Sequence, residues 1–386
     1  MQEKIKIAVI GSTGYTGVKL IELLLDHPLA EIVYVSSEQY TSQKFSEVYP
    51  AFLGEFDLEC KPYQEIEDEV LFKKNIDLIF FATPNGIALK SAYKFIETGI
   101  DVIDLSADYR FKNLETHFKY YELTRHDKDI KLVNDAIYGL AERNGTKISE
   151  AKKSNSENGV LIANPGCYPT ASSLSLLPFF DFNQKLKVQN KKEIFNLTNI
   201  IIDAKSGASG AGRKASTATL YTEVNESFKP YNLAHKHRHN PEIEEFLSTQ
   251  SDKKVTLLFS PHLVPMSSGI LATSYLSLNL EAFKELENTT DKQYINSFIK
   301  KIFKNYYKDS KFIQILNDGT YPNTAWVKGT NKVQMQTEFD EESSRVISVA
   351  AIDNTVKGAA GQAIQNMNLL YNLDESLGLR QKARLV

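Results

Sequence analysis

Apolar runs and helix-spaced apolar stripes alternate through the first 165 residues. Residues 5–10 are almost wholly apolar, and Leu20, Ile21, Leu23, Leu24 and Leu25 then recur at helical spacing. Residues 31–36, 77–83 and 101–105 read as further buried strands, with a helix over 88–98. This alternation predicts a doubly wound parallel sheet with the topology of a Rossmann-like α/β domain. After residue 163 the character changes. Residues 200–204, 254–259, 270–278, 333–339 and 345–352 are strand-like with few helices between them, which predicts a mixed or antiparallel sheet in an α+β domain. Residues 356–371 return to helix spacing through Ala359, Ala363, Ile364, Met367 and Leu370. The expected division is 1–165, completed by a C-terminal helical segment 354–386, and 166–353. Two stretches rich in Lys, Asn, Ser and Glu, 147–158 and 183–196, are expected as surface insertions.

Composition narrows the class. The chain has 386 residues, 24% of them charged, and a formal net charge of −3. That gives no basis for nucleic-acid or acidic-membrane binding. No apolar run is long enough for a membrane span, and the start shows no signal-peptide pattern. Two cysteines far apart in sequence do not make a disulfide framework. Free thiols fit a reducing compartment, so a cytoplasmic location is expected.

Four segments carry candidate chemistry. Gly11, Ser12, Thr13, Gly14, Tyr15, Thr16 and Gly17 lie between the first strand and the first helix. Glycines there permit close approach of a pyrophosphate to the amides of a helix start. At the end of the second strand Ser36 and Ser37 favour a 2′-phosphate, hence NADP(H), although Glu38 follows them. Cys167 follows an apolar strand and opens a helix-like run, where the dipole stabilises a thiolate. The competing reading is a small buried hydrophobe. Ser206, Gly207 and Ser209 lie in a glycine-rich stretch ending in Arg213 and Lys214, a pattern suited to phosphate or cofactor. A flexible turn is the alternative. His235, His237 and His239 alternate before Pro241, which places His239 near a helix start and makes His237 or His239 the candidate base. No second ligand cluster accompanies them, so no metal is expected. His262 is expected in a turn between two strands, and Cys60 is read as inert.

These motifs occur together and in the order found in the N-acetyl-γ-glutamyl-phosphate reductases, relatives of the aspartate-semialdehyde dehydrogenases, and the chain resembles that family over nearly its whole length. The resemblance runs through 11–17, 102–111, 138–142, 164–170, 206–213, 237–243, 261–269 and 353–363. It implies the two-domain fold of semialdehyde and glyceraldehyde-3-phosphate dehydrogenases, with 1–165 binding NADP(H) and 166–353 catalytic and dimerising. It implies reduction of an N-acylated glutamyl phosphate through a Cys167 thioester, with release of inorganic phosphate. Asn354 is implied at the cofactor, Asn164 and Arg110 at the substrate or phosphate, and a homodimer or homotetramer as the assembly. Two positions depart from the family: Ser268 stands where an Arg usually precedes the glycine of the turn, and Pro84-Asn85-Gly86 where His-Gly is common. The same chemistry on N-succinylglutamyl, carrier-linked aminoadipyl or aspartyl phosphate is the alternative. A non-catalytic NADP(H) sensor is the alternative from another class, and a cysteine hydrolase leaves the glycine loop unexplained.

Overall fold

The computed structural model describes residues 3–67, 75–125, 127–154, 157–380 and 382–383. The chain forms two compact units: Met1–Gly166 with Ala359–Arg380, and Cys167–Gly358 with Gln381–Val386.

Six parallel strands make the sheet of the first unit: β1 (Ile5–Ile10), β2 (Ala30–Ser36), β3 (Leu78–Phe81), β4 (Asp101–Asp104), β5 (Ile137–Tyr138) and β6 (Leu161–Ala163). Their order is β2-β1-β3-β4-β6-β5. Every residue of β3 and β4 is buried, as a parallel sheet covered on both faces requires. The helices α1 (Tyr15–Leu25) and α2 (Ala88–Glu97) supply cover; α2 buries Ala88, Leu89, Ala92, Phe95 and Ile96, one stripe at helical spacing. β5, two residues long, is too short to register as a strand in the sequence.

The expected insertion at 147–158 is instead largely helix. Residues 147–154 are the second half of α3 (Ala141–Ser154), and Ile148 is fully buried. Lys152 reaches the buried Asp101 carboxylate at 2.7 Å and lies 3.8 Å over the Tyr371 ring. Its charge is a staple on β4, and residues 155 and 156 lie outside the described residues.

The second unit carries seven strands: β7 (Phe195–Ser206), β8 (Lys229–Pro230), β9 (Leu257–Leu263), β10 (Ile270–Leu278), β11 (Ile313–Ile315), β12 (Val333–Asp340) and β13 (Arg345–Ile352). The order is β11-β12-β13-β10-β7-β9-β8, with β7–β9 and β11–β12 parallel and the other pairs antiparallel. β10 alternates buried and half-buried residues along its length, so one face is core and the other is open. The core face packs on α4 (Cys167–Val188), whose residues are buried nearly all round. Pro178 inside α4 has no N–H to give the Leu174 carbonyl. That carbonyl accepts the Tyr307 hydroxyl at 2.5 Å instead.

The expected insertion at 183–196 is an exposed turn in its middle, but its ends belong to α4 and β7. Asn183 is buried within α4 and exchanges two hydrogen bonds with the Phe195 backbone, at 2.7 and 3.2 Å, which fixes the start of β7. His262 is in β9 rather than in a turn. The strand continues past Pro261 because Ala204, Lys205 and Ser206 remain paired with Pro261, His262 and Leu263.

Helices α5 (His239–Ser248) and α6 (Lys292–Tyr306) also belong to this unit. A π-helical turn, Val356–Ala360, then leads into α7 (Gly361–Leu370). The helix expected through 386 stops at Leu370. Asn372 takes a left-handed backbone (φ 53°), and its amide and that of Leu373 return to Leu369 O and Asn368 O. Among the described residues no helix is long and apolar enough to cross a membrane.

Candidate active site

The glycine loop after β1 is built so that no side chain could replace Gly11 or Gly17. Gly11 has φ +79°, and a Cβ there would lie 2.6 Å from Ala82 O; one at Gly17 would lie 2.3 Å from Gly11 O. Gly14 caps α1 with an extended backbone and no side-chain hydrogen bond. The start of α1 therefore lacks the side-chain cap that would close it to an anion. The hydroxyls around it turn inward. Ser12 Oγ donates to Ser36 O at 2.8 Å, Ser36 Oγ accepts from Gly11 N at 3.2 Å, and Thr13 Oγ1 shares a 2.7 Å hydrogen bond with Ser37 Oγ. Tyr49 donates to Thr13 O at 2.8 Å, and Glu38 accepts the Tyr63 amide at 2.7 Å. Tyr15 is exposed and Thr16 half-buried at the start of α1. A dinucleotide pyrophosphate would fit this cradle, with backbone amides rather than the serines as its donors. Cys60 is buried nearby, its thiol raised above its ordinary range by burial.

The second glycine-rich loop is built differently. The amides of Gly207, Ala208 and Ser209 donate to the carbonyls of Gly269, Met266 and Ser267 at 3.0, 3.0 and 2.9 Å. Asn354 clamps the two loops: Oδ1 accepts Gly269 N at 2.6 Å and Nδ2 donates to Ser209 Oγ at 3.0 Å. Ser206 is buried, with its hydroxyl on Gly207 O. The backbone at 207–209 is thus committed internally. Arg213, half-buried, and Lys214, exposed, are the charged groups this stretch presents. Ser268 is half-buried in the paired loop.

Cys167 is the first residue of α4 and is half-buried. It stands at the positive end of a 22-residue helix, the position where a helix dipole favours an anion. Around it lies an aromatic cluster. Tyr231 donates to the Tyr168 hydroxyl at 3.2 Å, and Tyr168 donates to His262 O at 3.4 Å. Burial pushes the Tyr231 phenol up to about 12, and a nearby Cys167 thiolate adds to the rise; Tyr168 moves in the same direction, for the same leading reason. The His237 ring sits 5.3–5.5 Å from the rings of Tyr168, Tyr231 and Phe259 and 5.0 Å from that of His239.

The two histidines are not equivalent. His237 Nδ1 accepts the His239 amide at 3.1 Å, which puts the proton of its neutral ring on Nε2. Burial, helped by the Arg238 charge, lowers it to about 4. His239 opens α5 and is less buried, its ring 6.0 Å from that of Tyr168.

Asn164 and Arg110 belong to the first unit and are held inside it. Asn164 is buried; its Oδ1 accepts Asn366 Nδ2 at 3.0 Å and its Nδ2 donates to Ala359 O at 3.3 Å. Arg110 donates to Asn164 O at 2.8 Å and Leu105 O at 2.7 Å. Both brace the backbone segment that precedes Cys167. Sequence reasoning missed Tyr231 and Asn366 as site residues. Neither has a local signal, since each acts through a partner more than 60 residues away.

Comparison with known proteins finds family matches to both halves of the chain. The semialdehyde dehydrogenase NAD binding domain matches residues 6–151, and the semialdehyde dehydrogenase dimerisation domain matches 167–354. An N-acetyl-gamma-glutamyl-phosphate reductase of Ruthia magnifica subsp. Calyptogena magnifica is 41% identical over 98% of this chain and 98% of its own. That of Campylobacter jejuni subsp. jejuni serotype O:23/36 (strain 81-176) is 41% identical over 99% and 100%. Among solved structures, aspartate semialdehyde dehydrogenase II from Vibrio cholerae, complexed with ASA, aligns with a TM-score of 0.67 at 16% identity over 96% of this chain and 99% of that one. Aspartate semialdehyde dehydrogenase with NADP from Candida albicans gives 0.68 at 15% over the same shares. The distant structures establish the fold; the near relatives establish the family. The chain belongs to the N-acetyl-γ-glutamyl-phosphate reductase family of semialdehyde dehydrogenases.

Proposed function

We propose that this chain reduces N-acetylglutamyl 5-phosphate to N-acetylglutamate 5-semialdehyde with NADPH, through a thioester on Cys167, as a step of arginine biosynthesis. The observation that carries the reading is the half-buried thiol at the start of α4, next in the chain to Tyr168, whose ring meets those of His237 and His239; the chain's other thiol is buried. The Cys167 thiolate attacks the acyl carbon; the carbon–oxygen bond to phosphorus breaks and inorganic phosphate leaves with the electron pair. His239 is the base that takes the Sγ proton and later returns it, because the Nδ1 of His237 is already occupied. His237 and the tyrosines form a neutral wall around the thiol. First-turn amides of α4, which lack intrahelical carbonyls, are the donors for the developing oxyanion. The dinucleotide, when bound at the Gly11–Gly17 loop, supplies the hydride that reduces the thioester. Arg213 and Lys214 suit the leaving phosphate or the cofactor phosphates by charge.

The open face of the second sheet supports a homo-oligomer. Leu258, Ile201, Tyr275 and Ile347 form one cross-strand row over β9, β7, β10 and β13, and Leu258 is 49% exposed. An apolar row of this kind fits a second copy: a homodimer, or a homotetramer built on it. Free thiols fit a cytoplasmic enzyme.

The test runs the reaction backwards, following NADPH at about 340 nm, the usual nicotinamide signal, from N-acetylglutamate 5-semialdehyde and NADP⁺. Phosphate-dependent formation of NADPH is expected. Signal only with an N-succinyl or aminoadipate analogue would assign Ser268 to a changed acyl pocket, and silence with all of them would overturn the enzyme reading.

A further inference from the structure

The π-helical turn before α7 ends on a contact with the nucleophile itself. A Cβ at Gly358 would lie 2.7 Å from Cys167 Cβ and 3.2 Å from Cys167 Cα. Those are the rigid parts of the cysteine, so no rotamer change relieves the clash. Gly358 is not among the glycines with positive φ. A larger residue is therefore excluded by close approach and not by backbone conformation.

The turn is fastened by one buried carboxylate. Asp353 Oδ1 accepts Thr355 N at 2.8 Å, Thr355 Oγ1 at 2.7 Å and Val356 N at 3.3 Å, while Oδ2 accepts Gly329 N at 2.7 Å. Its backbone carbonyl accepts Gly358 N at 2.9 Å, a five-residue span that is the π-type bond. Single π turns of this kind recur at functional sites, and this one aims a bare backbone at a thiol.

We infer that Gly358, held by the Asp353-capped π turn, is the positioning residue that seats Cys167, fixing the direction of Sγ from the start of α4. The inference rests on Cys167 as the nucleophile. Gly358 acts through the cysteine and touches no reacting atom. A methyl group at 358 has to displace the Cys167 backbone or the turn, and a shift of about 1 Å at a reacting group costs on the order of 100-fold in rate.

The experiment compares Gly358→Ala, Asp353→Asn and Cys167→Ser with the unaltered enzyme. Turnover, dinucleotide affinity and the pH profile of iodoacetamide alkylation are measured on each. Gly358→Ala is expected to lower kcat by about 100-fold, to leave dinucleotide affinity within about threefold, and to move the alkylation midpoint upward as the thiol leaves the helix axis. Asp353→Asn, which keeps the glycine but loosens the turn, is expected to lower kcat by about tenfold with the same upward shift. Full activity and an unshifted alkylation profile in a folded Gly358→Ala would overturn the inference. Should that variant not fold, unchanged kcat and profile in Asp353→Asn overturns it. Turnover retained by Cys167→Ser would sink the nucleophile reading itself, a separate failure from a silent Gly358 variant in an enzyme that Cys167→Ser inactivates.

Discussion

Two glycine-rich loops, 11–17 and 206–212, each follow a strand and each read in the sequence as a phosphate cradle. Their hydrogen bonding differs. In the first, side chains turn inward, Ser36 holds the loop backbone, and the start of α1 is left without a side-chain cap. In the second, the amides of 207–209 are paired to carbonyls of the 264–269 loop, and Asn354 locks the pairing. Glycine content says that a backbone can come close to something. It does not say whether that something is a ligand or another part of the chain.

The contrast can be broken most sharply at Gly17. A Cβ there meets Gly11 O at 2.3 Å and Ser12 O at 2.6 Å. Gly17→Ala should weaken NADPH binding by 100-fold or more, roughly 3 kcal/mol, in a fluorescence titration. Unchanged affinity would mean the cradle is elsewhere. Asn354→Ala is the matching test of the second loop. It should lower unfolding stability by about 1–3 kcal/mol, the range for stranding buried partners, while NADPH affinity stays within about threefold. Loss of affinity at unchanged stability would make the second loop a cofactor site like the first.

Ser37→Ala sharpens the first loop further. Its hydroxyl is engaged by Thr13, so the expected loss is about 1 kcal/mol of stability, with NADPH and NADH affected alike. A selective loss of NADPH would return Ser37 to the 2′-phosphate.

Acid should show the smallest effect near neutrality, and it acts on both units. His237 in the second unit is lowered to about 4 and His117 in the first to about 3, burial being the leading cause in each. Their folded values lie below the unfolded value near 6.5, so the unfolded chain binds more protons as pH falls through that window. Stability should therefore be complete above about pH 7 and should fall from there toward pH 4, read as a dropping urea midpoint. His237→Phe should flatten that fall.

The doubly wound sheet was legible because β1, β3 and β4 are short apolar runs separated by helical stripes. The thiol was legible because Cys167 sits where strand gives way to helix. The segment at 147–158 misled because its charges look solvated, and 183–196 misled at its ends, which belong to α4 and β7. Only the fold shows that Lys152 meets Asp101 and that Asn183 meets the Phe195 backbone. Tyr231 and Gly358 were hidden for a related reason. Each matters through a neighbour distant in sequence, and an isolated tyrosine in a loop or glycine in a helix-like run carries no local mark.

The most direct measurement withholds the dinucleotide. Enzyme mixed with N-acetylglutamyl 5-phosphate alone should release about one phosphate per site in a burst, as covalent catalysis requires, and peptide mass spectrometry should find the acyl group on Cys167. No burst, or an acyl group on any other residue, would contradict the account.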